Sequence, residues 1–148
     1  SPRVKIRVGD AGTVTRSFAP ASRDVVIRDV FAVDKTPAEL TSVDFVRAVD
    51  HSMAPGGLYI LNCGDGPSLD GARAEVAALF EVFEQVCLVA DAAMLKGRRR
   101  GNIIIAASHS PLPAADSAEA AAISRTLMGG GVPAQYRDSA QARQFARL

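Results

Sequence analysis

Carboxylates at the ends of strand-like segments are the side chains of this sequence best suited to chemistry. Asp10 follows the alternating segment 4–8, and Asp29 lies at the end of the β-branched segment 24–30. An ionised carboxylate accepts hydrogen bonds and can take a proton from a substrate. A charged side chain that closes a β-branched strand is costly unless it is used or capped. We therefore expect Asp29 to act in a site, whereas Asp10 suits either a site or a helix cap.

The elements that position these residues alternate along the chain. Hydrophobic patterns predict strands at 4–8, 24–30, 58–61, 86–90 and 102–107, and helices at 13–18, from Thr36 to about 53, and at 68–84, 116–128 and 139–147. Thr36, Pro37 and Glu39 form a predicted capping box, and residues 62–67 a predicted loop. This order favours a mainly parallel sheet whose last two strands are antiparallel. Ligands of such sheets bind beyond the carboxyl ends of the strands, where Gly9, Asp10, Ala11, Asp29 and residues 62–65 would converge.

Other side chains that could take part in binding or catalysis have simpler interpretations. His51 and His109 are not spaced for a metal site or a triad, and Cys63 and Cys87 form no CxxC motif, so we expect no metal. The basic segment 96–100 could bind phosphate, but such a run in a hairpin turn is usually a solvated surface.

Composition excludes several classes of function. The 148 residues suit one domain, with 48% hydrophobic and 22% charged residues. A net charge of +1 and few aromatic residues give no drive toward nucleic acid. No segment is long and apolar enough to span a membrane, and no signal peptide is visible, so we expect a cytoplasmic location.

Five segments in consecutive order resemble the spermidine synthase family, in particular its actinobacterial spermidine synthase-like members. The segment VKIRVGDAGTV is similar to the family's third strand with its adenine-side Asp, and RDVVIRDVFAVDKTPAEL to its fourth strand and catalytic loop. The remaining three are VDFVRAVDHSMAPGGLYILN, KGRRRGNIIIAAS and MGGGVPAQYRDSAQARQF. The resemblance implies an α/β, Rossmann-like fold of the class I S-adenosylmethionine-dependent methyltransferase type. It further implies a mostly parallel sheet with an antiparallel last strand, lacking the family's first two strands. Residues 1–148 would form one partial domain, with a helical C-terminal tail at about 114–148.

The family transfers an aminopropyl group from decarboxylated S-adenosylmethionine to putrescine, giving spermidine and methylthioadenosine. By resemblance, Asp29 would be the catalytic carboxylate, and Gly9, Asp10 and Ala11 would bind the adenine of the co-substrate. Asp34 would bind an amine of the acceptor. The resemblance also implies a small polyamine substrate, no metal, no nucleic acid or membrane partner, and a homodimer.

Departures from the family pattern leave alternatives open. The family's two loop acids are three residues apart, whereas Asp29 and Asp34 are five apart, and residues 62–68 lack the family's Gln and Glu-Ser pair. The acceptor amine is therefore open. Ordinary S-adenosylmethionine and methyl transfer form one alternative, and a non-catalytic scaffold or oligomerisation module forms another. Because the family's glycine-rich loop has no counterpart, we also expect a fragment or a chain complemented by a partner.

Overall fold

A computed structural model describes residues 3–148 and contains one five-stranded sheet. Residues 1 and 2 of the predicted domain lie outside the described residues. The sheet order is β1-β2-β4-β3-β5. The strands are β1 (Arg23–Arg28), β2 (Met53–Asp65), β3 (Gln85–Ala90), β4 (Gly101–Ser108) and β5 (Gln135–Arg137).

Strand directions agree with the predicted α/β class. β1 pairs parallel with β2, and β4 lies antiparallel between β2 and β3, so β1, β2 and β3 share one direction. The predicted antiparallel pairing of the last two strands is confirmed. A further short strand, β5, pairs antiparallel with β3 and lies within the segment predicted to be helical. Pairing with the edge of β3 determines the conformation of β5. Its three residues show no hydrophobic alternation, so the sequence did not predict this strand.

Six helices accompany the sheet. They are α1 (Ala11–Arg16), α2 (Val43–Ser52), α3 (Asp70–Phe80), α4 (Ala92–Leu95), α5 (Ala118–Met128) and α6 (Ser139–Ala146). The predicted capping box at Thr36 is wrong. Residues 38–40 form a separate 3₁₀ turn, and α2 begins after Ser42, whose hydroxyl accepts a hydrogen bond from the Phe45 N–H at 3.2 Å. Ser42 rather than Thr36 caps the helix, because Ser42 directly precedes the apolar face of α2.

The predicted strand at 4–8 is absent. Residues 3–10 are exposed and form no ladder, and Ile6 is 88% exposed. A strand needs a neighbour for its backbone hydrogen bonds, and none of the strands among residues 3–148 pairs with this segment. The predicted loop at 62–67 is also partly wrong, because β2 continues to Asp65 through its ladder with β4.

The two faces of the sheet differ in burial. One face carries Tyr59, Leu61 and Cys63 of β2, all buried under helices, and α2 and α3 pack there. Ile105 and Ile103 of β4, the register partners of Leu61 and Cys63, are buried on the same side. The opposite face, called here the open face, carries Val25, Ile27, Leu58, Ile60, Ile104 and Ala106. These side chains are half-buried or exposed, so the hydrophobic core lies on one side of the sheet.

Candidate functional site

The carboxyl ends of β1 and β2 bring two polar side chains together. Asp29 directly follows β1, and the Asn62 amide of β2 donates a hydrogen bond from Nδ2 to Asp29 Oδ1 at 3.3 Å. Asp29 is exposed, whereas the Asn62 Oδ1 atom is buried without a hydrogen-bond partner among the described residues. The predicted position of Asp29 at a strand end is therefore observed, and Asn62 orients its carboxylate.

Asp34 lies in a tight turn beyond Asp29. Backbone hydrogen bonds join Ala32 and Lys35 in both directions, and Val33 at the tip has a φ of 64°. The Asp34 carboxylate pairs with Arg100 at 3.4 Å, and both side chains are about 60% exposed, at 61% and 62%. This ion pair links the turn to the hairpin between β3 and β4.

Gly64 allows that turn to cover the end of β2. A Cβ atom at Gly64 would lie 3.2 Å from the Phe31 ring and 3.3 Å from the Asn102 side chain. It would also lie 3.6 Å from the Asp34 carbonyl oxygen. A larger residue would force the Phe31 and Asn102 side chains to shift by a few tenths of an ångström, so Gly64 favours the close packing of this loop on the sheet.

Asp10 serves as the N-cap of α1. Its Oδ2 atom accepts hydrogen bonds from the Thr13 N–H at 2.8 Å and the Thr13 hydroxyl at 2.9 Å. These bonds hold the pKa of Asp10 below its usual value, with the backbone N–H as the larger cause. Gly9 and Ala11 flank the cap. Among residues 3–148, no hydrogen bond or ion pair links Asp10 to the partners of Asp29 or Asp34.

A cavity of about 490 Å³ opens between the 35–41 loop, the end of β2 and the first half of α3. Its lining contains both cations and acids. Neither Asp29 nor Asp34 lines it. The lining residues are Lys35, Thr36, Ala38, Thr41, Cys63, Gly64, Asp65, Gly66, Ser68, Asp70, Gly71, Ala74, Glu75 and Arg100.

A buried ion pair lies beneath this cavity. Arg28 Nη2 is 2.7 Å from Glu75 Oε2, and both side chains are less than a tenth exposed. The contact is electrostatic rather than a well-aligned hydrogen bond, and the Arg28 Nη1 donates to the Leu40 carbonyl at 2.7 Å. Burial raises the pKa of Glu75, and Arg28 partly offsets that rise. Burial also raises the pKa of Tyr59 to about 12, and the Tyr59 hydroxyl has no hydrogen-bond partner in the described chain.

Sequence reasoning missed this pair, although both residues carry a signal. Arg28 interrupts a β-branched strand, and Glu75 interrupts the apolar face that Ala72, Val76 and Leu79 give to α3. Two opposite charges that each break an apolar pattern indicate a buried pair. Recognising it would have required knowledge that the end of β1 lies close to Glu75 of α3.

Asp65 stabilises the turn between β2 and α3. Its carboxylate accepts hydrogen bonds from the Gly66 and Ala72 N–H groups, each at 2.8 Å. It therefore ties the end of β2 to the first turn of α3, beside the cavity.

Within residues 3–148, no helix is long and apolar enough to cross a membrane. The same part of the chain contains no group of three or more His, Cys, Asp or Glu side chains arranged to hold a metal ion.

Comparison with known proteins shows a likeness among solved structures. No family model matches the chain, and no curated protein matches it. Among solved structures, the chain is similar to a probable spermidine synthase from Corynebacterium glutamicum, with 55% sequence identity and a TM-score of 0.94. The match covers 99% of this chain and 52% of that protein, so the chain spans about half the length of this structural relative. The Rossmann-like fold class predicted from the sequence is confirmed, and so is the resemblance to the spermidine synthase family.

Proposed function

We propose that this chain forms the part of an aminopropyltransferase that holds the catalytic carboxylate and acts on a small amine. The observation that carries the proposal is the exposed Asp29 at the carboxyl end of β1, oriented by Asn62, in a chain 55% identical to a probable spermidine synthase. Decarboxylated S-adenosylmethionine would supply the aminopropyl group as co-substrate.

Asp29 acts on the attacking amine. A protonated amine has no lone pair, so the carboxylate accepts a proton from the amine nitrogen. The nitrogen then forms a bond to the terminal methylene next to the sulfonium, and the carbon–sulfur bond breaks with its electron pair left on sulfur. The products are an aminopropylated amine and a neutral thioether. Asn62 supports this role because its amide holds one carboxylate oxygen and leaves the other for the amine.

Asp10 and Asp34 support binding rather than proton transfer. Both Thr13 hydrogen bonds use Asp10 Oδ2, so Oδ1 is available to the adenine amino group, with the Gly9–Ala11 backbone alongside. Asp34 would hold an amine of the acceptor by exchanging its exposed ion pair with Arg100 for the substrate ammonium. Residues 1–148 would contribute this half of the co-substrate site as one partial domain.

The first test measures transfer from decarboxylated S-adenosylmethionine to a panel of amines, with products identified by mass spectrometry. We expect Asp29→Asn to lower kcat by about 10²- to 10⁴-fold, the usual contribution of a positioned acid or base. Asp24→Asn is the matched control, because Asp24 is an exposed acid near the start of the same strand. Full turnover by Asp29→Asn would contradict the catalytic assignment, and methylated products from ordinary S-adenosylmethionine would instead favour a methyltransferase.

A further inference from the structure

The lining of the cavity beneath the 35–41 loop contains none of the side chains assigned to aminopropyl transfer, although Asp34 pairs with the lining residue Arg100. Asp10, Asp29 and Asn62 are not part of its lining. The Asn62 and Cys63 side chains point to opposite faces of the sheet, and the cavity lies on the Cys63 side, between the sheet and α3. Its volume of about 490 Å³ falls within the roughly 300–1,000 Å³ typical of small-molecule sites.

Two cations at the mouth of the cavity are available to a ligand. Lys35 is exposed and forms no ion pair within 3–148, and Arg100 is held only by the exposed Asp34 carboxylate at 3.4 Å. An exposed ion pair of this kind contributes roughly 0–1 kcal/mol, so a ligand anion can displace Asp34 from Arg100 at little cost. The mouth therefore offers two positive charges to one anionic group.

The acids that line the cavity differ in availability. The Asp65 oxygens accept hydrogen bonds from the Gly66 and Ala72 N–H groups, and Glu75 is neutralised by Arg28. Asp70, the first residue of α3, is exposed and has no ion-pair partner in the described chain. Asp70 is therefore the acid that remains for a ligand cation.

We propose that this cavity binds a small zwitterion of the α-amino acid class. The ligand carboxylate lies between Lys35 and Arg100, and its ammonium group lies toward Asp70. The hydroxyls of Thr36, Thr41 and Ser68 supply the polar contacts between these two ends. A simple diamine binds poorly, because it carries no anion for Lys35 and Arg100.

Two probes that differ by one carboxylate test the charge requirement. Ornithine is 1,4-diaminobutane with an added carboxylate, so their comparison isolates the anionic group. Each is titrated into ¹⁵N-labelled protein while the amide shifts of Gly64, Gly66 and Gly71, which line the cavity, are followed. We expect ornithine to shift these amides at concentrations at which 1,4-diaminobutane does not. Equal or tighter binding of the diamine at these amides, or no shift with ornithine, would overturn the proposal.

Substitutions of the two cations test where the ligand carboxylate binds. Arg100→Gln and Lys35→Gln should each raise the Kd for ornithine by about tenfold, the value of one charge-assisted contact of about 1.4 kcal/mol. Arg98→Gln is the matched control, because Arg98 is an exposed arginine of the same turn that does not line the cavity. An equal Kd for all three variants and the unmodified protein would refute the assignment. The inference does not rest on the proposed function, because binding is read without turnover.

Discussion

At the residue scale, the buried ion pair between Arg28 and Glu75 joins β1 to α3. A buried ion pair contributes little compared with apolar residues of equal volume, yet removal of one partner leaves an uncompensated charge. We expect Glu75→Ala to lower the free energy of unfolding by about 3–5 kcal/mol, measured by urea denaturation. The burial of both side chains, at 4% and 8% exposure, justifies that range.

The matched control removes both charges. Arg28→Met with Glu75→Leu should recover most of the lost stability, less about 1 kcal/mol for the Leu40 carbonyl, which loses its donor. If the double variant were as unstable as Glu75→Ala, the loss would come from packing rather than from an unpaired charge.

His109 provides a pH-dependent contact at the opposite end of the sheet. Its ring contacts Glu84 through Nδ1 and lies 2.7 Å from the Asp50 Oδ1 through Nε2. Partial burial disfavours the charged ring, but the hydrogen bonds and charges of Asp50 and Glu84 outweigh it and raise the pKa of His109. The contact joins α2 to the segment between α3 and β3.

This raised pKa determines the direction of the pH effect. The stabilisation by protonated His109 is complete below its ordinary pKa of 6.5 and is lost as the pH rises through the higher folded-state pKa. We expect the Tm difference between the protein and His109→Gln to shrink as the pH rises above about 6.5. His51→Gln, at an exposed histidine without an ion pair within 3–148, should show no such trend. A difference independent of pH would contradict the assignment.

At the scale of elements, the turn before β4 depends on Gly97. Gly97 has a φ of +65°, and a Cβ atom there would lie 2.5 Å from the Pro67 carbonyl oxygen. The contact is with backbone, so a side chain cannot avoid it by rotation. Gly97→Ala should therefore cost about 1–3 kcal/mol of stability, measured as a lower urea midpoint at an unchanged m-value.

Gly131→Ala is the matched control for Gly97→Ala. Nothing lies within 4 Å of a Cβ at Gly131, and its φ is not in the left-handed region. We expect this variant to remain within about 0.5 kcal/mol of the unmodified protein. Equal effects of the two variants would show that the Pro67 contact is not responsible.

The elements also show what sequence patterns can and cannot predict. β3, α3 and α5 were predictable because their hydrophobic periods are decided locally, and Asp29 was placed at a strand end for the same reason. The segment 4–8 has an equally clear alternation, yet no strand within residues 3–148 pairs with it. Long-range pairing also decided the extension of β2 to Asp65 and the existence of β5. In the candidate site, Asp29, Asp34 and the segment 62–65 were placed at the strand ends, whereas the contacts of Asn62, Gly64 and Glu75 were not predicted, because they join distant segments.

For the whole molecule, the asymmetry of the sheet has a measurable effect. Ile27 on the open face is 69% exposed, whereas Leu61 on the buried face is 1% exposed. We expect Ile27→Thr to change the unfolding free energy by no more than about 0.5 kcal/mol and to reduce the binding of a hydrophobic dye. Leu61→Ala should instead cost about 2–5 kcal/mol. A large loss of stability in Ile27→Thr would show that the open face is covered in solution.

The position of β4 in the sheet has a consequence for synthesis on the ribosome. β4 follows β1, β2 and β3 in the chain, yet it lies between β2 and β3 and forms the ladders that join them. A nascent chain that has not yet exposed residues 101–108 can pair β1 with β2, but β3 then has no strand ladder to that pair. β1, β2 and β3 are therefore synthesised before the strand that joins them. The sheet can form only after Ser108, the last residue of β4, has emerged from the ribosome.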